Sequence, residues 1–198
     1  MQAAPTGLTG QIDFQALPSP VFIIGAAHTG KSELAQRVLS ANTKTLVVGT
    51  ASVEEDAFKE RIQKLKSMRP PLWETREDDQ HLPELLRQEC PGFRQIMVDS
   101  LNQWVAALLL DGSSRYSLPQ LEARIEDEGR QLCESVQAHA DCRFVIVSNE
   151  IASGISPPRA LPRLFRQMTS RINCRIAEIC NSVILVSAGI PMVIKGRA

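Results

Sequence analysis

One segment near the start of the chain restricts the possible folds more than any other feature. Residues 25–32 read Gly-Ala-Ala-His-Thr-Gly-Lys-Ser, a complete match to the phosphate-binding P-loop pattern G-x-x-x-x-G-K-[ST]. The glycines permit a tight turn whose backbone N–H groups point at phosphate oxygens, and the lysine reaches the β- and γ-phosphates. The motif predicts a site for GTP or ATP. The residues expected around the phosphates are Gly25, Ala26, Ala27, His28, Thr29, Gly30, Lys31 and Ser32.

The sequence on both sides of the motif agrees with this interpretation. Residues 21–24 (VFII) are β-branched or aromatic, which is typical of a buried strand. Residues 32–40 carry apolar side chains at helical spacing, at Leu34, Val38 and Leu39. A strand, a loop and a helix in this order place the phosphates at the positive end of the helix dipole.

Further apolar runs along the chain alternate with helical segments. The runs are continuous (LVV, IMV, FVIV, VILV), which is typical of strands buried on both faces. We therefore predict an α/β fold of the P-loop NTPase type, with a largely parallel sheet and helices on both faces. The predicted strands are Val21–Gly25, Thr45–Thr50, Gln95–Ser100, Arg143–Ser148, Ser182–Ser187 and Met192–Lys195. The predicted helices are Lys31–Ala41, Val53–Ser67, Leu101–Leu110, Leu118–His139 and Leu161–Cys180.

Length and composition indicate one domain and exclude some partners. The chain has 198 residues, 43% of them hydrophobic, so we predict a single domain over residues 20–198. Residues 1–19 contain Pro, Gly, Gln and Thr without a basic start or an apolar core. We expect a flexible N-terminal extension there, not a signal peptide. Lys and Arg number 22 together, as do Asp and Glu, so the basic excess of a nucleic-acid-binding protein is missing.

Five cysteines without C-x-x-C spacing indicate reduced thiols in a cytoplasmic protein. No apolar run approaches the roughly 18 residues that a membrane span needs.

Polar side chains follow two of the predicted strands. Asp99 ends the run IMV, and we predict that it holds Mg²⁺ together with Ser32; a helix N-cap is the alternative role for Asp99. Asn149 and Glu150 follow the strand at residues 144–147, where ligands bind in open α/β sheets. We expect these two residues to contact a substrate, and a plain loop carboxylate is the alternative for Glu150.

A basic amphipathic helix over residues 57–68 and the Pro-rich segment after it are less specific. The helix suits a solvated surface, or its lysines lean over nucleotide phosphates. Arg69 offers a guanidinium that can clamp a phosphate, and Trp73 offers an indole that can stack on a ring.

Several separated segments, taken together, resemble one family. Besides the P-loop, the segments are VVGTA (47–51); RIQ (61–63) with Lys66, Arg69-Pro70 and Trp73; VSNE (147–150) with Gly154-Ile155 and Pro157; RIN (171–173) with Ala177; and VSAGIP (186–191) with Ile194-Lys195. They resemble the bifunctional adenosylcobinamide kinase / adenosylcobinamide-phosphate guanylyltransferases of cobalamin biosynthesis. The resemblance extends from about Val21 to Lys195.

The resemblance implies a homotrimer and two reactions. A nucleoside triphosphate phosphorylates the aminopropanol hydroxyl of adenosylcobinamide, and GTP then donates GMP to that phosphate. By resemblance, the residues around GTP beyond the P-loop are Gly49, Thr50, Ala51, Lys66, Ser67, Met68, Arg69, Glu77 and Asp99.

The chain departs from the family at the residue that carries GMP. In the family a histidine follows Arg-Ile-Gln, whereas here Lys64 follows Gln63. An exposed lysine has a pKa of about 10.4 and is a poor nucleophile at neutral pH, unless burial or cationic neighbours lower that pKa. We predict a kinase that retains Lys31 and Asp99 as catalytic residues and in which guanylyl transfer is weakened or lost.

Three alternatives stay open. Both activities persist with Lys64 or His81 carrying the GMP; or the chain binds GTP and has lost catalysis; or it is a P-loop kinase for an unrelated substrate such as a nucleoside. Against the last alternative, no segment of the sequence resembles the arginine-rich lid of a nucleoside kinase. The nearest candidates for such a lid are Arg159, Arg163 and Arg166.

Overall fold

A computed structural model describes residues 12–50, 63, 67–77 and 80–196. Its sheet has seven strands in the order β3-β2-β4-β5-β1-β6-β7. The strands are β1 Val21–Gly25, β2 Thr45–Gly49, β3 Trp73–Glu77, β4 Gln95–Asp99, β5 Arg143–Asn149, β6 Ser182–Ser187 and β7 Ile190–Lys195. The helices are α1 Lys31–Val38, α2 Leu82–Glu89, α3 Leu101–Gly112, α4 Leu118–Ala138 and α5 Ala160–Ile179, with a 3₁₀ turn at Cys90–Gly92.

All strand pairs are parallel except β6 with β7. Successive strand residues point to opposite faces, so Ile96 and Val98 join one core cluster while Met97 joins the other. One face packs against α1, and the other packs against α2 to α5 around the fully buried Trp104. The predicted largely parallel sheet with helices on both faces is confirmed.

Two elements are missing from the sequence prediction. Strand β3 reads WETRE, which is polar because β3 lies at the edge of the sheet and only Trp73 is buried. Helix α2 begins at Leu82 with Pro83 in its first turn, a position that proline tolerates. The predicted helix Val53–Ser67 lies almost wholly outside the described residues.

Residues 12–19 correct one expectation. Leu17 is fully buried, and the guanidinium of Arg143 donates to the carbonyl oxygens of Leu17 at 3.0 Å and Phe14 at 3.2 Å. The hydroxyl of Ser182 donates to the carbonyl of Pro18 at 2.8 Å. The segment is therefore packed at the amino edge of the sheet rather than flexible, because buried backbone and polar side chains hold it there.

The five cysteines are all free thiols. Burial raises the pKa of Cys90 to about 12 and that of Cys180 to about 12, whereas Cys174 is exposed on α5. Among the described helices, none is both long and apolar enough to cross a bilayer.

Candidate functional site

The carboxyl ends of the parallel strands meet at one edge of the sheet and bring the expected site residues together. Gly49 is in register with Glu77 on one side and with Asp99 on the other. Gly25, the first residue of the P-loop, is in register with Asn149. The fold thus places the P-loop, two carboxylates and an amide along the same edge.

The P-loop runs from the end of β1 to the start of α1. Gly25 needs to lack a side chain, since a Cβ there would lie 2.2 Å from the carbonyl oxygen of Val186 on β6. Gly30 precedes the helix in the left-handed region, with φ 88°. The ammonium of Lys31 donates to the carbonyl of Ala26 at 2.5 Å, and the hydroxyl of Thr29 donates to the same oxygen at 2.9 Å. The lysine charge consequently lies across the loop that the motif assigns to phosphate.

The hydroxyl of Ser32 lies beside the carboxyl of Asp99. Burial raises the pKa of Asp99, while the nearby Ser32 hydroxyl and the positive charges of Arg69 and Lys31 oppose that rise. A hydroxyl and a carboxylate are the oxygen ligands that Mg²⁺ prefers, usually with few protein ligands and with phosphate oxygens besides. The pair therefore fits the ion implied by the motif. The described residues contain no cluster of three or more metal-binding side chains.

Arg69 adds a cation beside this pair. Its guanidinium donates to the hydroxyl of Thr75 at 2.6 Å, and its Nε atom is buried without a hydrogen-bond partner among the residues that the structure describes. Burial lowers the pKa of Arg69, and the negative charges of Asp99 and Glu77 oppose this effect. A Cβ at Gly49 would lie 2.7 Å from the Glu77 carboxylate, so Glu77 packs against the backbone of β2.

The side chain of Thr50, which the resemblance places near GTP, is hydrogen-bonded to the chain that follows Asp99. Its side chain is fully buried, and its hydroxyl donates to the carbonyl of Ser100 at 2.6 Å and accepts from the N–H of Ser100 at 2.9 Å. The N–H of Thr50 donates to the carbonyl of Asp99 at 3.1 Å. These bonds fix the backbone at Ser100, the residue that follows Asp99. In this structure Thr50 is therefore a residue that positions Asp99.

Asn149 and Glu150 lie beside the P-loop. The N–H of Glu150 donates to the carbonyl of Gly25 at 2.9 Å, and one carboxylate oxygen of Glu150 accepts from the N–H of Ala152 at 2.7 Å. The backbone of Asn149 is held from both sides, by the buried amides of Asn102 at 3.2 Å and Asn173 at 3.0 Å. In the sequence, Asn102 and Asn173 could have been recognised as amide side chains on the apolar face of a helix.

Other expected site residues lie in, or next to, the part of the chain that the structure does not describe. Ala51, Lys64 and Lys66 lie outside the described residues. Ser67 is the last helical residue before a turn, and Met68 in that turn is 63% exposed. His81 precedes α2, within electrostatic reach of Glu128 on α4.

Comparison with known proteins points to one family. The model of the family described as "Cobinamide kinase / cobinamide phosphate guanyltransferase" matches residues 21–194. The bifunctional adenosylcobalamin biosynthesis protein CobP of Pseudomonas aeruginosa is 34% identical over 88% of this chain and 96% of its own length. The corresponding protein CobU of Salmonella typhimurium is 31% identical over 88% of this chain and 99% of its own length.

One solved structure supports the fold alone. An ATPase from the type III secretion system of pathogenic bacteria aligns with a TM-score of 0.50 at 13% identity, over 84% of this chain and 50% of that one. Together with the sheet order, it confirms the predicted P-loop NTPase-like fold.

Thr50→Val tests the positioning role. The substitution keeps the shape and removes both hydroxyl hydrogen bonds to Ser100, so we expect a loss of about 1–3 kcal/mol in the free energy of unfolding. We also expect several-fold weaker binding of Mg²⁺–nucleotide, because Asp99 loses its support. Urea unfolding and calorimetry measure the two effects.

Thr45→Val is the matched control for that experiment. Thr45 is also fully buried and its hydroxyl lies within hydrogen-bond distance of two acceptors, but it is at the amino end of β2, the strand that Thr50 follows. The Thr45→Val substitution is expected to destabilise the fold and to leave the affinity for nucleotide unchanged. Equal weakening of nucleotide binding by both variants would contradict the role given to Thr50.

Proposed function

The chain belongs to the cobinamide kinase / cobinamide phosphate guanyltransferase family, and on that basis we propose that it transfers the γ-phosphoryl group of ATP or GTP to adenosylcobinamide. The observation that supports the kinase reaction is that Lys31, Ser32 and Asp99 lie close together at one edge of the sheet. The phosphoryl transfer that these three residues would support does not require a nucleophile at residue 64.

In this proposal the residues of the site divide the work of an in-line displacement. The P-loop amides and Lys31 hold the β- and γ-phosphates, and the guanidinium of Arg69 balances charge that builds on the transferred group. Ser32 and Asp99 would hold Mg²⁺, which would neutralise phosphate charge there. The acceptor hydroxyl forms the new P–O bond and the bond to the β-phosphate oxygen breaks. The proposed acceptor of the hydroxyl proton is Glu150, whose backbone N–H is hydrogen-bonded to the Gly25 carbonyl of the P-loop.

The guanylyl half of the family reaction is proposed to be weakened or lost. The relatives are named bifunctional, but by resemblance their GMP-carrying histidine corresponds to Lys64 here. A protonated lysine has no lone pair to attack the α-phosphate, and only a strongly lowered pKa would supply one. Transfer through Lys64 or His81, or GTP binding without catalysis, are the competing proposals.

We further propose a cytoplasmic enzyme that assembles as a homo-oligomer, a trimer by resemblance. Support for assembly comes from edge strand β7, where Ile190 (64% exposed), Met192 (42%) and Ile194 (60%) alternate along one face. Light scattering of the purified chain is expected to give a mass above the 21.8 kDa of one copy. A monomer at micromolar concentration would contradict assembly.

Lys31→Ala is expected to lower the rate of cobinamide phosphorylation by about 100-fold or more, because a cation that stabilises the transferred phosphate is removed. Transfer of label from γ-labelled ATP or GTP to cobinamide measures the rate. Lys44→Ala is the control, since Lys44 lies at the amino end of β2 and forms an exposed ion pair with Glu74 at 3.5 Å. An unchanged rate in Lys31→Ala would refute the assignment of the P-loop.

Incubation with α-labelled GTP followed by denaturation tests the guanylyl half. We expect no acid-labile label on the wild-type chain and its appearance in Lys64→His, because a neutral imidazole is nucleophilic near pH 7. Label on wild-type Lys64 or His81 would show that covalent guanylylation persists. Lys64→Ala, which restores no nucleophile, is the matched control.

A further inference from the structure

The loop at residues 150–159 rises beside the P-loop. It joins β5 to α5, and β5 lies between β1 and β4 in the sheet. The loop therefore leaves the carboxyl edge between the strand that enters the P-loop and the strand that ends at Asp99. The hydrogen bond from the Glu150 N–H to the Gly25 carbonyl fixes its first residue against the first residue of the P-loop.

This loop presents an apolar side chain to solvent. Ile155 is 98% exposed, and the next most exposed large apolar side chain among the described residues is Leu110 at 67%. Residues 151–158 read IASGISPP and include no charged side chain. Without a cation the segment cannot neutralise phosphate charge, and its exposed isoleucine suits an apolar ligand surface.

One guanidinium holds the loop in shape. Arg166 on α5 donates to the carbonyl oxygens of Ala152, Gly154 at 2.9 Å and Ile155 at 2.9 Å. Gly154 takes a left-handed conformation, with φ 97°, which lets the chain turn between these carbonyls. A planar donor that binds several acceptors at once fixes their relative positions, so Ile155 is held outward before any ligand arrives.

We propose that residues 151–155 form a binding site for the corrinoid substrate, with Ile155 as the contact and Arg166 as a positioning residue. The inference rests on the proposed function. A corrin ring is a broad, flat ligand with methyl groups on its periphery, and burying Ile155 against it removes apolar surface from water. Contact there brings the hydroxyl arm of the substrate toward the P-loop from the Glu150 side.

Ile155→Glu and Ile155→Ala test the contact in the full chain. We expect the KM for cobinamide to rise about tenfold in Ile155→Glu, because a carboxylate would have to be desolvated against the ring, and to rise less in Ile155→Ala. The KM for ATP stays unchanged. Leu110→Glu is the matched control, an equally drastic change at an exposed apolar residue near the end of α3, and alters neither KM.

Arg166→Lys tests the positioning role. Lysine keeps the charge but cannot span the three carbonyls as a fork does. We expect a higher KM for cobinamide with an unchanged KM for ATP and an unchanged thermal unfolding midpoint. A rise in both KM values by the same factor would make Arg166 a general structural residue and overturn its assignment.

Binding is also measured without turnover, by equilibrium dialysis against cobinamide with corrin absorbance as the readout and by calorimetry with nucleotide. If the wild type binds cobinamide and both Ile155 variants bind it equally well, the loop inference fails while the proposed function stands. If the wild type binds nucleotide but no cobinamide, the proposed function fails and the loop inference fails with it. A lower mass of Ile155→Glu in light scattering would assign the loop to a subunit contact instead and overturn the inference.

Discussion

The close approach of the Ser32 hydroxyl to the Asp99 carboxyl is the contact on which the arrangement of the site depends. The two residues belong to different crossover units, and β5 separates the strands that lead to them. The contact exists only because the parallel strands end together at one edge. Gly25 contributes to this alignment, since its missing side chain lets β1 lie against β6. A shift in the register of any central strand would therefore move the P-loop relative to Asp99.

The electrostatics of the site follow from the same alignment. Burial disfavours the charged form of Asp99, while Lys31 and Arg69 favour it, and both cations also face the place where phosphate would add negative charge. The site thus holds its carboxylate and its cations close together before a ligand binds. Such preorganisation reduces the reorganisation that binding and transfer require, which is how positioned charges accelerate phosphoryl transfer.

The sequence predicted the parts of the site that depend on local chemistry. The P-loop was predicted from a short motif and Asp99 from its place at the end of an apolar run, and both lie at the expected edge of the sheet. Strand β3 was not predicted because an edge strand needs no apolar run. The packing of residues 12–19 was not predicted because it depends on hydrogen bonds to Arg143 and Ser182, which are distant in sequence. The role of Thr50 was equally out of reach, since its partner Ser100 is distant in sequence and meets it only through the pairing of β2 with β4.

The distribution of thiols has a practical consequence for spectroscopy. Of the five cysteines, the two with the highest pKa are buried, and Cys174 is the exposed one. A maleimide dye reacts through the thiolate at an accessible sulfur, so it would couple preferentially at Cys174, ahead of the half-buried Cys133, whose pKa burial raises. Cys174 is on α5, the helix that also carries Arg166, so the dye would put a fluorescent reporter on the element that holds the loop.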